Sequence, residues 1–212
     1  PRPGTGLAES ETELSMSARQ LIKRTIKTLF LLLVLPLYGL FRLLALVAHE
    51  DGVFQSFSQA ISLIPGKLGI YIRAAFYRLA CPDTSDEILV GFLTVFSHRD
   101  TSIAQGVYIG PQCNIGKCSI GEKPLLGSGV HILSGKSQHH FADTNTPIQD
   151  QGGTYTKVSI GKDCWLGNGA IVMCDVADHC IIAAGSVEVN AINEPRTIHG
   201  GNPAKLLKRR ES

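Results

Sequence analysis

Apolar residues recur every six positions through the second half of this chain, and that period constrains the fold more than any other feature. Ile103, Ile109 and Ile115 are six apart, and after a five-residue step Ile120, Leu126 and Ile132 repeat the spacing. The register resumes at Ile160 and Leu166, continues to Val172, shortens to a four-residue step at Val176 and goes on to Ile182. Glycine follows Ile109, Ile115, Ile120 and Leu126, and again Ile160 and Leu166. With 22 glycines in 212 residues, chance supplies fewer than one such pair among the first six positions. A six-residue period fits neither a helix nor a long alternating strand. It fits a solenoid whose hexamers are each a short strand plus a tight corner. The apolar residue points inward onto its equivalents, and the following glycine tolerates the corner's backbone angles. Three hexamers make a triangular coil of about 18 residues, which predicts four to five coils between Ile88 and Val189.

The charges nearly cancel, with 20 Lys and Arg against 18 Asp and Glu for a net +2. That balance lacks the basic excess of a nucleic-acid-binding chain. Apolar residues make up 44%, which excludes a disordered composition. The charge is nonetheless uneven. From Arg19 to Arg78 there are eight basic residues and two acidic ones, Glu50 and Asp51, whereas residues 81–204 hold seven basic and twelve acidic. Lys205, Lys208, Arg209 and Arg210 make the end of the chain basic again. The six cysteines, Cys81, Cys113, Cys118, Cys164, Cys174 and Cys180, include no C-x-x-C pair, so neither a zinc ribbon nor a thioredoxin motif is indicated. They read as reduced thiols used as small hydrophobes, which points to a cytosolic face for the body.

Residues 1–20 are polar and read as a frayed leader. Then comes LIKRTIKTLFLLLVLPLYGLFRLLALVAHE, in which 14 uncharged residues separate Lys27 from Arg42. A simple spanning helix needs roughly 20, and Pro36 near the middle predicts a kink. Within 53–80, Phe54, Phe57, Ile61 and Ile64 recur at helical spacing, and Ile70, Ala74 and Tyr77 share the following stretch with Lys67, Arg73 and Arg78. Aromatics with cationic edges fit helices lying in an anionic membrane interface. Residues 21–80 are therefore expected to form a helical, monotopic or re-entrant membrane-associating region. A true span, and a helical cap without lipid contact, are the alternatives. Residues 81–190 form the repeat body, and 191–212 a tail with a short helix.

The runs VSIGKDCWLGNGAIVM, IIAAGSV and GGNPAKLLKRR resemble the hexapeptide-repeat acyltransferases, and within them the galactoside, maltose and capsule or exopolysaccharide O-acetyltransferases. The resemblance covers residues 88–210 and leaves out 20–80. It implies a mainly β fold, a left-handed parallel β-helix assembled as a homotrimer with active sites between subunits, and acetyl-CoA as the acyl donor.

The repeat is interrupted from Gly135 to Lys157 by a 23-residue loop, GKSQHHFADTNTPIQDQGGTYTK. A loop this long out of a regular solenoid suggests function. Transfer of an acyl group from a thioester to an alcohol needs a base for the hydroxyl proton, and an imidazole titrating near neutrality suits that task. Similar transferases carry their catalytic histidine in this loop, and His139 matches that place best, with His140 as its neighbour and alternative. Asp143 or Asp150 could orient the imidazole. His131, His139, His140 and His179 also raise a zinc alternative, but His131 lies eight residues before His139, without the rung spacing of three-histidine sites. No metal is expected.

Carried over by motif, the resemblance puts coenzyme A against Trp165, Asn168, Ala184, Val189 and Asn190, and its phosphates near Lys205 and Lys208. Val189-Asn190 stands where the family often has Thr-Lys, and Ala183 where it usually has Gly. An apolar, basic entry segment joined to such a solenoid suggests an acceptor that is lipid-linked, such as a polyprenol-bound sugar or a nascent surface polysaccharide. The expected location is the cytoplasmic face of the inner membrane. Two other readings stay open, an acyltransferase fed by an acyl carrier protein and a non-catalytic trimeric membrane scaffold.

Overall fold

The six-residue period is realised as three stacks of two- and three-residue strands that wind in turn around one apolar axis. The structure is a computed structural model and describes residues 5–211, with side chains from residue 18 onward. Three helices come first, α1 (Thr5–Leu44), α2 (Glu50–Ser62) and α3 (Gly66–Ala80). The first coil then lays down β1 (Leu89–Val90), β2 (Val95–Phe96) and β3 (Ser102–Ile103), and the second β4 (Tyr108–Ile109), β5 (Asn114–Ile115) and β6 (Cys118–Ile120). The third is β7 (Leu125–Leu126), β8 (His131–Ile132), the long loop and β9 (Val158–Ile160). After it come β10 (Trp165–Leu166) with β11 (Ile171–Val172), β12 (Ile181–Ile182) with β13 (Val187–Glu188), and a closing pair, β14 (Thr197–Gly201) and β15 (Ala204–Arg209).

Every strand pairs in parallel with its counterpart one coil away, except β14 with β15, which are antiparallel. One face runs β1-β4-β7-β10-β12-β14-β15, the second β2-β5-β8-β11-β13 and the third β3-β6-β9. The shortened step at Val176 leaves only isolated bridges on the third face, Ile160 to Val176 and Val176 to Ile192. In each strand the second or third residue of the repeat points inward. Val90, Ile109, Leu126, Leu166 and Ile182 stack on one face, and Phe96, Ile115, Ile132 and Val172 on the next, all buried. All six cysteines are free thiols, and five are buried, with burial pushing Cys164 up to about 11 and Cys118 up to about 12. They fill corners beneath backbone carbonyls, as Cys113 Sγ does 3.1 Å from the Gly127 oxygen.

Both ends of the apolar axis are closed. At the far end the two inward stacks finish on polar residues, the buried Glu188 and the partly buried His199, whose carboxylate and ring nitrogen lie 3.3 Å apart. At the near end α2 and α3 sit on the first coil. Phe54, Phe76 and Tyr77 are buried there, and the Tyr77 ring meets Phe96 with centroids 4.2 Å apart. The Ser58 hydroxyl pairs with the Tyr77 hydroxyl at 2.7 Å and receives the Phe96 amide at 2.8 Å. Arg73, fully buried, donates to the Val90, Ile61 and Ile64 carbonyls at 2.9, 3.1 and 2.8 Å.

Three expectations are corrected here. The helix begins at Thr5 and not at residue 21, so most of the polar leader continues α1; residues 1–4 lie outside the described residues. The aromatic stretch 53–80 turns its apolar face onto the open apolar end of the first coil and covers it, and Arg73 is a buried tie and not a cationic membrane edge. The tail forms no helix. Gly201, with φ at +102°, turns the chain back, and Ala204–Arg209 satisfies the open edge of β14 as a strand.

Candidate active site

The loop 135–157 leaves the solenoid between β8 and β9, while β6 and β9 pair directly beneath it, Cys118 opposite Val158. Its two arms run side by side. The Thr156 amide donates to Ser134, Thr154 to Ser137, and His140 to Gly152, at 2.9, 2.7 and 3.0 Å. Gly153 makes this approach possible, since a Cβ there would stand 1.8 Å from the Gln138 carbonyl oxygen and 3.0 Å from the His139 nitrogen. The result is a tied ribbon that presents His139 and His140, both exposed, at its outer end. The His140 Nε2 lies 3.4 Å from the Thr154 hydroxyl.

Asp143 does not orient either imidazole. One carboxylate oxygen accepts the Asn145 amide at 2.9 Å and the other the Thr146 hydroxyl at 2.7 Å. The Gln151 side chain clamps its backbone from both sides, at 3.1 and 2.7 Å. The Thr146 hydroxyl and the Asn145 amide hold its carboxyl below the ordinary carboxylate value. Short polar side chains at a loop tip bond first to their own backbone, and the role the spacing suggested is taken by turn chemistry. Asp150 closes a single helical turn, Ile148–Asp150.

The residues named for the donor fall into three groups. Asn168 and Ala184 share one corner column, where the Gly185 amide donates to the Asn168 carbonyl at 2.9 Å and Asn168 Oδ1 accepts the Ser128 amide at 3.0 Å. A Cβ on Gly167 would lie 2.4 Å from the Ala184 nitrogen, so that column is packed backbone to backbone. Val189 and Asn190 occupy the next corner, below the point where the loop emerges, and the Asn190 amide reaches Glu188 Oε1 at 3.3 Å. Lys205 and Lys208 lie exposed on β15. Trp165 points outward from β10, half exposed, between Leu125 and Ile181. Among the described residues no three His, Cys, Asp or Glu side chains converge on a metal-sized site.

One feature beside the loop escaped the sequence reading. A cleft of about 620 Å³ opens between the start of α2 and the loop's base, lined by His49, Asp51, His98, Lys117, Gln138 and Tyr155 among others. Ser97-His98 follows β2, and the hydroxyl lies 2.9 Å from His98 Nδ1. Burial lowers the His98 pKa from its ordinary value, which favours the uncharged ring. His98 interrupts no motif, and only the fold brings it opposite α2.

No family model matches the chain. A probable macrolide acetyltransferase of Lysinibacillus sphaericus is 34% identical over 116 residues, 50% of this chain, and the chain spans 64% of that relative's length. Among solved structures, a maltose O-acetyltransferase from Clostridium difficile 630 superposes with a TM-score of 0.65 at 20% identity, covering 78% of this chain and 90% of its own. A galactoside acetyltransferase in complex with coenzyme A does so with a TM-score of 0.55 at 14% identity, covering 78% and 84%. The chain thus has the β-helix fold of these solved acetyltransferases, and over half its length its sequence is similar to that of a probable macrolide acetyltransferase.

Proposed function

We propose that this chain is an acetyl-CoA-dependent O-acetyltransferase that works at the cytoplasmic face of a membrane on a sugar hydroxyl of a surface polysaccharide or a lipid-linked saccharide precursor. The observation that carries the reading is the tied loop on an acetyltransferase fold, with two adjacent exposed imidazoles at its outer end. His139, or His140 beside it, takes the acceptor's hydroxyl proton as the oxygen attacks the thioester carbonyl. A backbone N–H near the active-site coil stabilises the oxyanion. Collapse of the tetrahedral intermediate expels the coenzyme A thiolate, which recovers the proton from the imidazolium. The acetyl group moves directly between donor and acceptor, without an acyl-enzyme. Asp143 serves as a positioning residue that holds the loop tip.

The donor lies along the corner column of Asn168 and Ala184 and over Val189 and Asn190, with Trp165 near the thioester and Lys205 and Lys208 near the phosphates. A homotrimer is supported by an outward ladder on one face, Leu89, Tyr108, Leu125, Trp165, Ile181 and Ile198, in which Tyr108, Leu125 and Trp165 are exposed on a single chain.

Membrane association is supported by α1. Ala18–Leu44 is long and apolar enough to cross a membrane by length and composition, and only 11% of its apolar window is buried. Leu29, Leu32, Leu33, Leu40 and Leu43 are exposed along it, and Arg19, Lys23 and Arg24 lie toward its start. The test is acetyl-CoA titrated into purified full chain, with mass by light scattering and vesicle flotation on the same sample. Saturable binding by a trimer that floats with anionic vesicles is expected. A folded chain with no affinity for acetyl-CoA would favour the carrier-protein or scaffold readings.

A further inference from the structure

The turn after α1, Ala45–Ala48, carries the two most exposed large apolar side chains among the described residues, Leu46 and Val47 at 77% and 85%. Two residues later His49 begins the wall of the polar cleft, so at extended-chain reach the apolar tip and the cleft are at most about 7 Å apart along the backbone. The cleft's other wall is the loop's base, where Gln138 precedes His139 in the chain. One cleft therefore adjoins the surface most suited to lipid and the arm that holds the candidate base.

Its chemistry is selective. The one lysine that lines it is engaged, since Lys117 meets Asp100 at 3.1 Å, a carboxylate it shares with Lys157 at 2.7 Å. What remains for a ligand is neutral or acceptor in character. Asp51 Oδ1 takes the Arg99 amide at 2.8 Å, leaving its second oxygen. Gln138 Nε2 donates to Gly135 at 3.3 Å, leaving its carbonyl. His98, with Nδ1 2.9 Å from the Ser97 hydroxyl, keeps Nε2 for a ligand, and the Tyr155 ring stands beside it with centroids 5.0 Å apart. Carboxylate, amide and imidazole beside an aromatic wall suit hydroxyl groups on an apolar ring face. They do not suit a phosphate, which calls for uncommitted cations.

We infer that this cleft binds the hydroxyl-rich, uncharged head of the acceptor, delivered from the bilayer side past Leu46 and Val47, with Asp51, His98 and Gln138 as its hydrogen-bonding partners and Tyr155 as its stacking wall. This rests on the acetyltransferase reading and adds to it the place where the acceptor's head is held, that head's lack of charge and its route of entry. His98 is a binding residue of the cleft and leaves the proton transfer to the loop.

The test uses the full chain in phosphatidylcholine nanodiscs, with decyl β-D-glucopyranoside and methyl β-D-glucopyranoside as probes and imidazole proton NMR as the readout. The decyl glucoside should shift the His98 and His49 resonances saturably and bind about tenfold more tightly than the methyl glucoside. Asp51→Asn, His98→Gln and Tyr155→Leu should each weaken decyl glucoside binding about tenfold, the cost of one hydrogen bond or stacking contact, and leave acetyl-CoA affinity unchanged. Tyr155 is half exposed, so its variant keeps the fold. Glucosides that leave both histidine resonances in place, or variants that bind like the wild type, would overturn the assignment. Equal affinity for the two probes would overturn delivery from the bilayer. Loss of acetyl-CoA binding in the wild type would refute the acetyltransferase reading instead, while the histidine resonances still report on the cleft.

Discussion

Replacing Gly153 with alanine asks how much the proposed chemistry depends on the loop's two arms lying in contact. The new Cβ would stand 1.8 Å from the Gln138 oxygen and 2.4 Å from its carbonyl carbon, where ordinary contacts begin at 3.4 Å. The neighbouring atoms are backbone and cannot rotate away, so the arms must part by about 1.5 Å at the residue before His139, and a 1 Å misplacement of a catalytic group costs on the order of 100-fold in rate. The loop is exposed and contributes little to the apolar axis, so global stability should barely move. Turnover of acetyl-CoA at saturating acceptor, read by thiol release, should fall about 100-fold with KM for acetyl-CoA unchanged. Melting followed by circular dichroism should match the wild type. Gly153→Ala with wild-type turnover would refute the claim that the arm contact sets the base.

Further predictions concern the frame that holds the loop. Arg73→Leu removes the donor for two carbonyls, Val90 and Ile64, that gain no other partner among the described residues, at about 1–3 kcal/mol each, partly offset by releasing a buried guanidinium; urea midpoints should fall, with first-coil amides losing hydrogen-exchange protection first. Glu188→Val removes a buried carboxylate oxygen that accepts no hydrogen bond, and together with His199→Leu it continues both apolar stacks, so the double variant should be neutral or stabilising in chemical denaturation. Asp143, whose carboxyl is lowered from 3.8 by the Thr146 hydroxyl and the Asn145 amide, stabilises the loop tip above its ordinary value and loses that contribution as pH falls through its lower folded value. Amide exchange at Asn145 should accelerate over that acid range, and Asp143→Asn should flatten the dependence.

The solenoid was legible because inward positions at a six-residue period have no other use than stacking, and Ile109, Leu126 and Leu166 land on one face as the period requires. The loop was legible as an interruption of that period. What sequence could not convey is which partner a polar side chain finds. Asp143 bonds to its own turn and not to a histidine, and Arg73 looks like a membrane-facing cation until the carbonyls at the end of α2 are placed beside it. The tail's basic run reads equally as a helix end or an edge strand, and the unpaired edge of β14 decides between them. His98 is separated from Asp51 and Gln138 by long stretches of chain, so its place in the cleft is a property of the fold alone.

The central claim is that the loop imidazoles perform the proton transfer on a bound acetyl-CoA. It is tested most directly by measuring acetyl-CoA binding and turnover on one sample of the full chain carrying His139→Ala, of one carrying His140→Ala and of the double variant. Binding equal to the wild type with turnover lowered about 1,000-fold in the double variant, and in one of the singles, is the predicted result. Wild-type turnover in the double variant would contradict it and move the base out of the loop.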